Sequence, residues 1–307
     1  MKIWRCKQCG AWQEKGRKPQ KCPACAAGKE VLVKSTVLSD LKVSSFAHPW
    51  DQEALELMKK IPLFDEILRW ISRNFLDRLE KLDRVGADYR ITAENDPQLF
   101  RKLEFGLKVL DLSNKIDLYV WQHPAVTAYS AGIEETFIVI SSGAMERLND
   151  EEMIFLIGHE LGHIKANHVL YQSLARNMLK ALNWLGPLKF VGRAALMTVL
   201  IALFDWYRKS ELTADRAGAL CIQNNDIPIN VMIKLATGQE SEISASDRKS
   251  FIEQSDHYQE LRGINVFVEI YELFKDLYRS HPHTVLRARE VNTWMKEGEY
   301  RQIIGTK

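Results

Sequence analysis

A chain of 307 residues that is 46% hydrophobic and 27% charged has the composition of an ordinary globular protein, long enough for one large domain and an accessory unit. Its formal net charge of +2 argues for neither nucleic acid nor an anionic membrane as a partner, and no nucleic acid is expected. No secretory signal precedes Cys6, and the longest apolar run, Ala194 to Phe204, is too short for a membrane span of about 20 residues. The expected setting is the cytoplasm, with peripheral membrane contact compatible with that run but not required by it.

The first thirty residues form a unit of their own. Cys6, Cys9, Cys22 and Cys25 read C-x-x-C, twelve residues, C-x-x-C. Two such knuckles suit four thiolates around a structural zinc. Gly10 and Pro23 fit tight turns, and Glu14 to Lys21 is polar and basic, so zinc rather than an apolar core is expected to supply the folding energy. Two disulfides are the alternative, which the missing secretory signal disfavours. Val31 to Ser45 reads as a strand and linker. The expected division is a zinc ribbon over 1–30, a linker over 31–47 and one main domain over 48–307. The fifth cysteine, Cys221, reads as an ordinary buried thiol.

From Asp51 to Leu82 apolar residues recur at helical spacing (Leu55, Met58, Ile67, Ile71, Leu79, Leu82), and Pro62 splits the pattern into two helices. Pro97 opens another, with Leu99, Leu103, Leu107 and Leu110 on one side. These helices carry no chemistry of their own and read as scaffold. Ile116 to Trp121 and Thr136 to Ile140 are β-branched and aromatic runs that predict two short strands. A sheet edge there, beside the next helix, would pair with an extended peptide or merely support the helix.

That next helix carries H-E-x-x-H as His159, Glu160 and His163. On a helix the two histidines lie about 40° apart around the axis and about 6 Å apart along it, so they can chelate one zinc ion. Glu160 falls on the same side, placed to reach a water rather than the metal. Asn149 with Glu152 imitates a capping box. Gly158 and Gly162 each cost a helix about 1 kcal/mol against alanine, which makes sense where a second helix must approach closely. His168 lies about 140° round from His163 and cannot share the metal if the helix continues.

No Asp or Glu occurs between His163 and Asp205; the acids that follow are Asp205, Glu211 and Asp215. Glu211 and Asp215 stand one turn apart, so Glu211 can complete the metal site while Asp215 accepts the proton of a ligating imidazole and fixes its tautomer. Ala214, Ala217 and Gly218 provide the small surface that the glycines of the first helix call for.

The segments H-E-L-G-H at 159–163, E-L-T-A-D-R-A-G at 211–218 and S-H-P with Arg287 at 280–287 resemble the gluzincin endopeptidase family that includes the CAAX prenyl protease and the bacterial heat-shock membrane protease. Val126 to Leu148 is similar to that family's edge strand and glycine-bearing turn. The likeness runs from about His48 to Arg289, without the transmembrane helices of the membrane members and with a cysteine-rich ribbon added in front. It implies an α+β, mainly helical fold: a zincin-type metallopeptidase domain with a small sheet. It also implies that His281 and Arg287 lie near the active site, where they can stabilise an oxyanion.

The expected activity is that of a zinc-dependent endopeptidase acting on polypeptide substrates, with one catalytic zinc held by His159, His163 and Glu211, and one structural zinc in the ribbon. Glu160 serves as general base for a zinc-activated water. Two other readings compete with it. One is a latent protease that holds substrates in quality control through residues 190–204; the other is an interaction protein that works through its ribbon.

Overall fold

The computed structural model describes residues 1–14, 16–60, 77–132, 135–173, 175, 190–262 and 283–305. The chain opens with β1 (Lys2–Cys6), which pairs antiparallel with β2 (Trp12–Glu14) on one side and β3 (Leu32–Thr36) on the other. β3 falls in the stretch read as strand and linker, and its pairing with all of β1 carries the small sheet on to Thr36.

The ribbon was expected to depend on metal alone, and here the structure differs. Strand alternation turns Ile3 and Arg5 to the same face of β1. Ile3 joins the main hydrophobic core. Arg5 is 1% exposed, with its guanidinium over the Phe105 ring and Nη2 2.9 Å from Glu151 Oε1. One face of the ribbon sheet is therefore built into the body of the protein.

The stretch from Asp51 to Leu82 begins in α1 (Pro49–Lys59) and ends in α2 (Asp77–Ala87); Pro62, Ile67 and Ile71 lie outside the described residues. β4 (Tyr89–Ile91) follows, then α3 (Pro97–Val109), which starts where proline predicts, with Asp96 accepting from Leu99 N at 3.0 Å. The two predicted strands are β5 (Asp117–Trp121) and, after a short strand β6 (Ala128–Ala131), β7 (Phe137–Ser141). The sheet order is β4-β5-β7-β6. β5 and β7 pair in parallel because the chain returns through β6, which runs antiparallel to β7 and forms the edge. Ala-Tyr-Ser-Ala carries too little β-branched character to announce β6.

α4 (Ser142–Arg147) leads to α5 (Asp150–Lys165). The predicted capping box is present: Asn149 Oδ1 accepts from Glu152 N at 3.0 Å and Glu152 Oε2 accepts from Asn149 N at 2.9 Å. Every residue from Glu152 to Ile164 is buried, as befits a helix enclosed on all sides. Behind it come α6 (Phe190–Ile222), α7 (Ile227–Thr237), α8 (Ala245–Arg262), α9 (Thr284–Lys296) and α10 (Gly298–Ile304). Among the described residues no helix is long and apolar enough to cross a membrane.

α5 and α6 approach as their small residues foretell. A Cβ on Gly162 would stand 2.5 Å from Ala217 Cβ and 3.2 Å from Ala214 Cα. Gly162→Ala is therefore expected to destabilise the protein by about 1–2 kcal/mol net, overpacking exceeding the helix-propensity gain of about 1 kcal/mol. It should also weaken metal retention, because Ala214 lies between Glu211 and Asp215. Denaturant unfolding with metal analysis checks this; wild-type stability in the variant would count against so close a contact.

Candidate metal centre

α5 and α6 bring three donors to one point. His159 Nε2 lies 3.2 Å from His163 Nε2 and 3.4 Å from Glu211 Oε2, and His163 Nε2 lies 3.3 Å from Glu211 Oε1. Donors about 2.0–2.1 Å from a common tetrahedral centre stand about 3.3–3.4 Å apart, so the triangle fits one metal ion. All three side chains are buried, and Glu160 is buried beside them. Asp205, the other acid weighed as a ligand, sits at the surface in pairs with Arg208 and Lys209.

Asp215 faces the far side of His159, with Oδ1 3.0 Å from Nδ1. Arg287, on α9, grips Asp215 with Nε at 2.8 Å and Nη2 at 2.6 Å, and its Nη1 lies 3.3 Å from Glu211 Oε2. The guanidinium thus braces Glu211 and Asp215 from behind. His281 lies outside the described residues. The other two His-Pro pairs have local roles: His48 and His123 each accept a backbone N–H two residues on.

The electrostatics differ between the two imidazoles. Burial works against a charged His159, but Asp215 and Glu211 outweigh it and hold its pKa up at about 9. At His163 burial is the largest influence and overcomes the single facing carboxylate, pushing the pKa down to about 3. Burial likewise opposes charge on Asp215, yet Arg287 and His159 keep its carboxyl below the ordinary range. Asp215 and Glu211 in turn raise Arg287 against its own burial.

His168 is not where an unbroken helix would put it. α5 ends at Lys165, Asn167 takes a left-handed conformation with φ 57°, and a new helical stretch starts at His168. This turn carries the His168 ring back against His163, Nδ1 to Nδ1 at 3.1 Å.

In the ribbon the four sulfurs lie within 4.8 Å of one another, with Cys6–Cys25 at 3.7 Å and Cys9–Cys22 at 3.5 Å. Four thiolates about 2.3 Å from a tetrahedral centre stand about 3.8 Å apart, so these also fit one metal ion, and no pair is bonded as a disulfide. Burial raises the Cys9 thiol. At Cys22 burial is outweighed by the backbone N–H groups of Cys25 and Ala24, which bring its pKa down to about 7. Cys221 is fully buried against Gly158, and burial pushes its thiol up to about 12.

The profile of Peptidase family M48 matches residues 93–295, a span that holds both helices of the metal centre and Arg287. The chain is also 29% identical over 291 residues to the plastoglobule-localized metallopeptidase 48, chloroplastic, of Arabidopsis thaliana, an alignment covering 94% of this chain and 82% of that one.

Proposed function

Given that this chain belongs to Peptidase family M48 and is a metalloprotease, we propose that it is a zinc endopeptidase that cuts within polypeptide chains, with Glu160 as the general base. The observation that carries the reading is the buried triangle of His159, His163 and Glu211, whose edges of 3.2–3.4 Å match a tetrahedral zinc site. When bound, zinc supplies a Lewis acid that polarises a carbonyl oxygen and lowers the pKa of water to about 7.

Glu160 stands one residue after His159 on α5, on the His163 side, and shares their buried setting. In the proposed reaction its carboxylate takes the proton of the attacking water and hands it to the leaving amine nitrogen. Asp215 keeps His159 in the tautomer whose Nε2 is available as a ligand. Arg287, engaged by Asp215 and Glu211, holds those two acids in place. His281 is proposed to steady the developing oxyanion. The ribbon cysteines are proposed to hold a second, structural zinc.

Unfolded casein tests the reading. Cleavage is expected with the zinc-loaded protein, to stop on chelation and to return with zinc. A fully zinc-loaded chain that binds casein without cutting it would favour the substrate-holding alternative instead.

A further inference from the structure

Each buried imidazole of the metal centre has its outer nitrogen engaged, but by different means. His159 meets a carboxylate directly. His163 meets another histidine, and that histidine meets a carboxylate: His168 Nδ1 lies 3.1 Å from His163 Nδ1, and His168 Nε2 lies 3.2 Å from Asp51 Oδ2. His168 is 2% exposed and Asp51 3%.

Resting on the zinc-peptidase reading, we infer that His168 is a positioning residue for the metal site, accepting the Nδ1–H of His163 at its own Nδ1 while its Nε2–H is anchored on Asp51. With His168 as the acceptor the tautomers form a consistent arrangement. A metal on His163 Nε2 leaves the proton on His163 Nδ1, which needs an acceptor. A neutral His168 protonated at Nε2 provides that acceptor and points its own donor at Asp51. Gln172 Nε2 also stands 3.1 Å from His163 Nδ1 and 3.2 Å from Ser210 Oγ; turned over, that amide offers Oε1 to the same proton, so Gln172 is the competing acceptor that the test has to separate from His168.

The anchor is itself fixed. Asp51 Oδ2 accepts from Thr213 Oγ1 at 2.6 Å, and Thr213 Oγ1 accepts from the backbone N–H of His48 at 2.9 Å. Thr213 sits on α6 two residues beyond Glu211, so the relay ties α1, the His168 turn and the ligand-bearing helix together. The His168 and Trp206 rings pack in a T-shaped pair, 5.4 Å between centroids. A ring whose two nitrogens are engaged and which packs against Trp206 has a defined orientation to pass on to His163.

The test is zinc affinity of the full chain by chelator competition. Cobalt substitution, in which the ribbon alone gives thiolate charge-transfer absorption, assigns each site. His168→Phe keeps the ring volume but has no acceptor, and is expected to weaken zinc at the His159–His163–Glu211 site about 10- to 100-fold while leaving the ribbon site unchanged. His168→Asn and His168→Gln then separate the two nitrogens: Asn puts its amide near the Nδ1 position, Gln near Nε2. Retention of zinc by Asn above that of Gln supports the relay, even if the Phe variant does not fold. Wild-type affinity in His168→Phe, equal behaviour of Asn and Gln, or loss of zinc in Gln172→Leu with none in His168→Phe would overturn it. A wild-type chain that binds no metal at this site would instead sink the zinc-peptidase reading itself.

Discussion

Glu160→Gln is expected to keep its catalytic metal and lose at least about a hundredfold in turnover, whereas Glu211→Gln is expected to lose metal and activity together. The two residues are both buried glutamates, one position and one turn of helix respectively from other members of the site. They differ in what their oxygens face. Both Glu211 oxygens lie within 3.4 Å of an imidazole Nε2; an amide there is a neutral and weaker donor. Glu160 is outside that triangle, and its amide can neither take nor return a proton. Asp215→Asn is expected to fall between, with metal affinity reduced about 10- to 100-fold through a less firmly oriented His159. Metal analysis and casein turnover on the same preparations decide the matter. If Glu211→Gln kept full metal while Asp205→Asn lost it, the assignment of the third ligand would be wrong.

Cys6→Ser is expected to lose about one zinc equivalent per chain and to open the knuckles around residues 7–31. A structural zinc contributes on the order of 10 kcal/mol to the folding of such units, and three thiolates hold it poorly. The damage should stop short of the peptidase. Ile3 lies in the main core and Arg5 is held by Glu151 and Phe105, so β1 has anchors that do not depend on the ribbon metal. Casein turnover should therefore stay within the wild-type order of magnitude, while limited proteolysis should nick the first thirty residues. Loss of both zinc equivalents would mean that ribbon and metal helix stand or fall together. A wild-type chain with a Cys6–Cys9 disulfide and one zinc would contradict the ribbon site altogether. The full chain is the right material, because deleting residues 1–30 would remove Ile3 and Arg5 from the body they help to cover.

The features legible in the amino-acid order are those decided over one or two turns of chain. The spacing of His159 and His163, the Asn149–Glu152 box, Pro97 at a helix start and the two cysteine knuckles each carry their own geometry. The approach of α6 to α5 was also readable, because small residues stand at matching intervals in both. β6 was legible only through the family likeness, which places an edge strand within Val126 to Leu148; its four residues hold too little β signal of their own and gain their conformation from pairing with β7. Other features depended on contacts across long stretches of sequence, which no local pattern encodes. Asp51 read as scaffold, yet it meets Thr213 162 residues away. Arg287 reaches Asp215 across 72 residues and braces it together with Glu211. Arg5 reaches Glu151 across 146, fastening the ribbon to the metal helix. His168 turned on a single backbone event. The ideal helix carries it away from His163, and only the left-handed Asn167 returns it. The sequence by itself determined which atoms can hold a metal; the tertiary structure decided what holds those atoms still, because each support comes from a distant part of the chain.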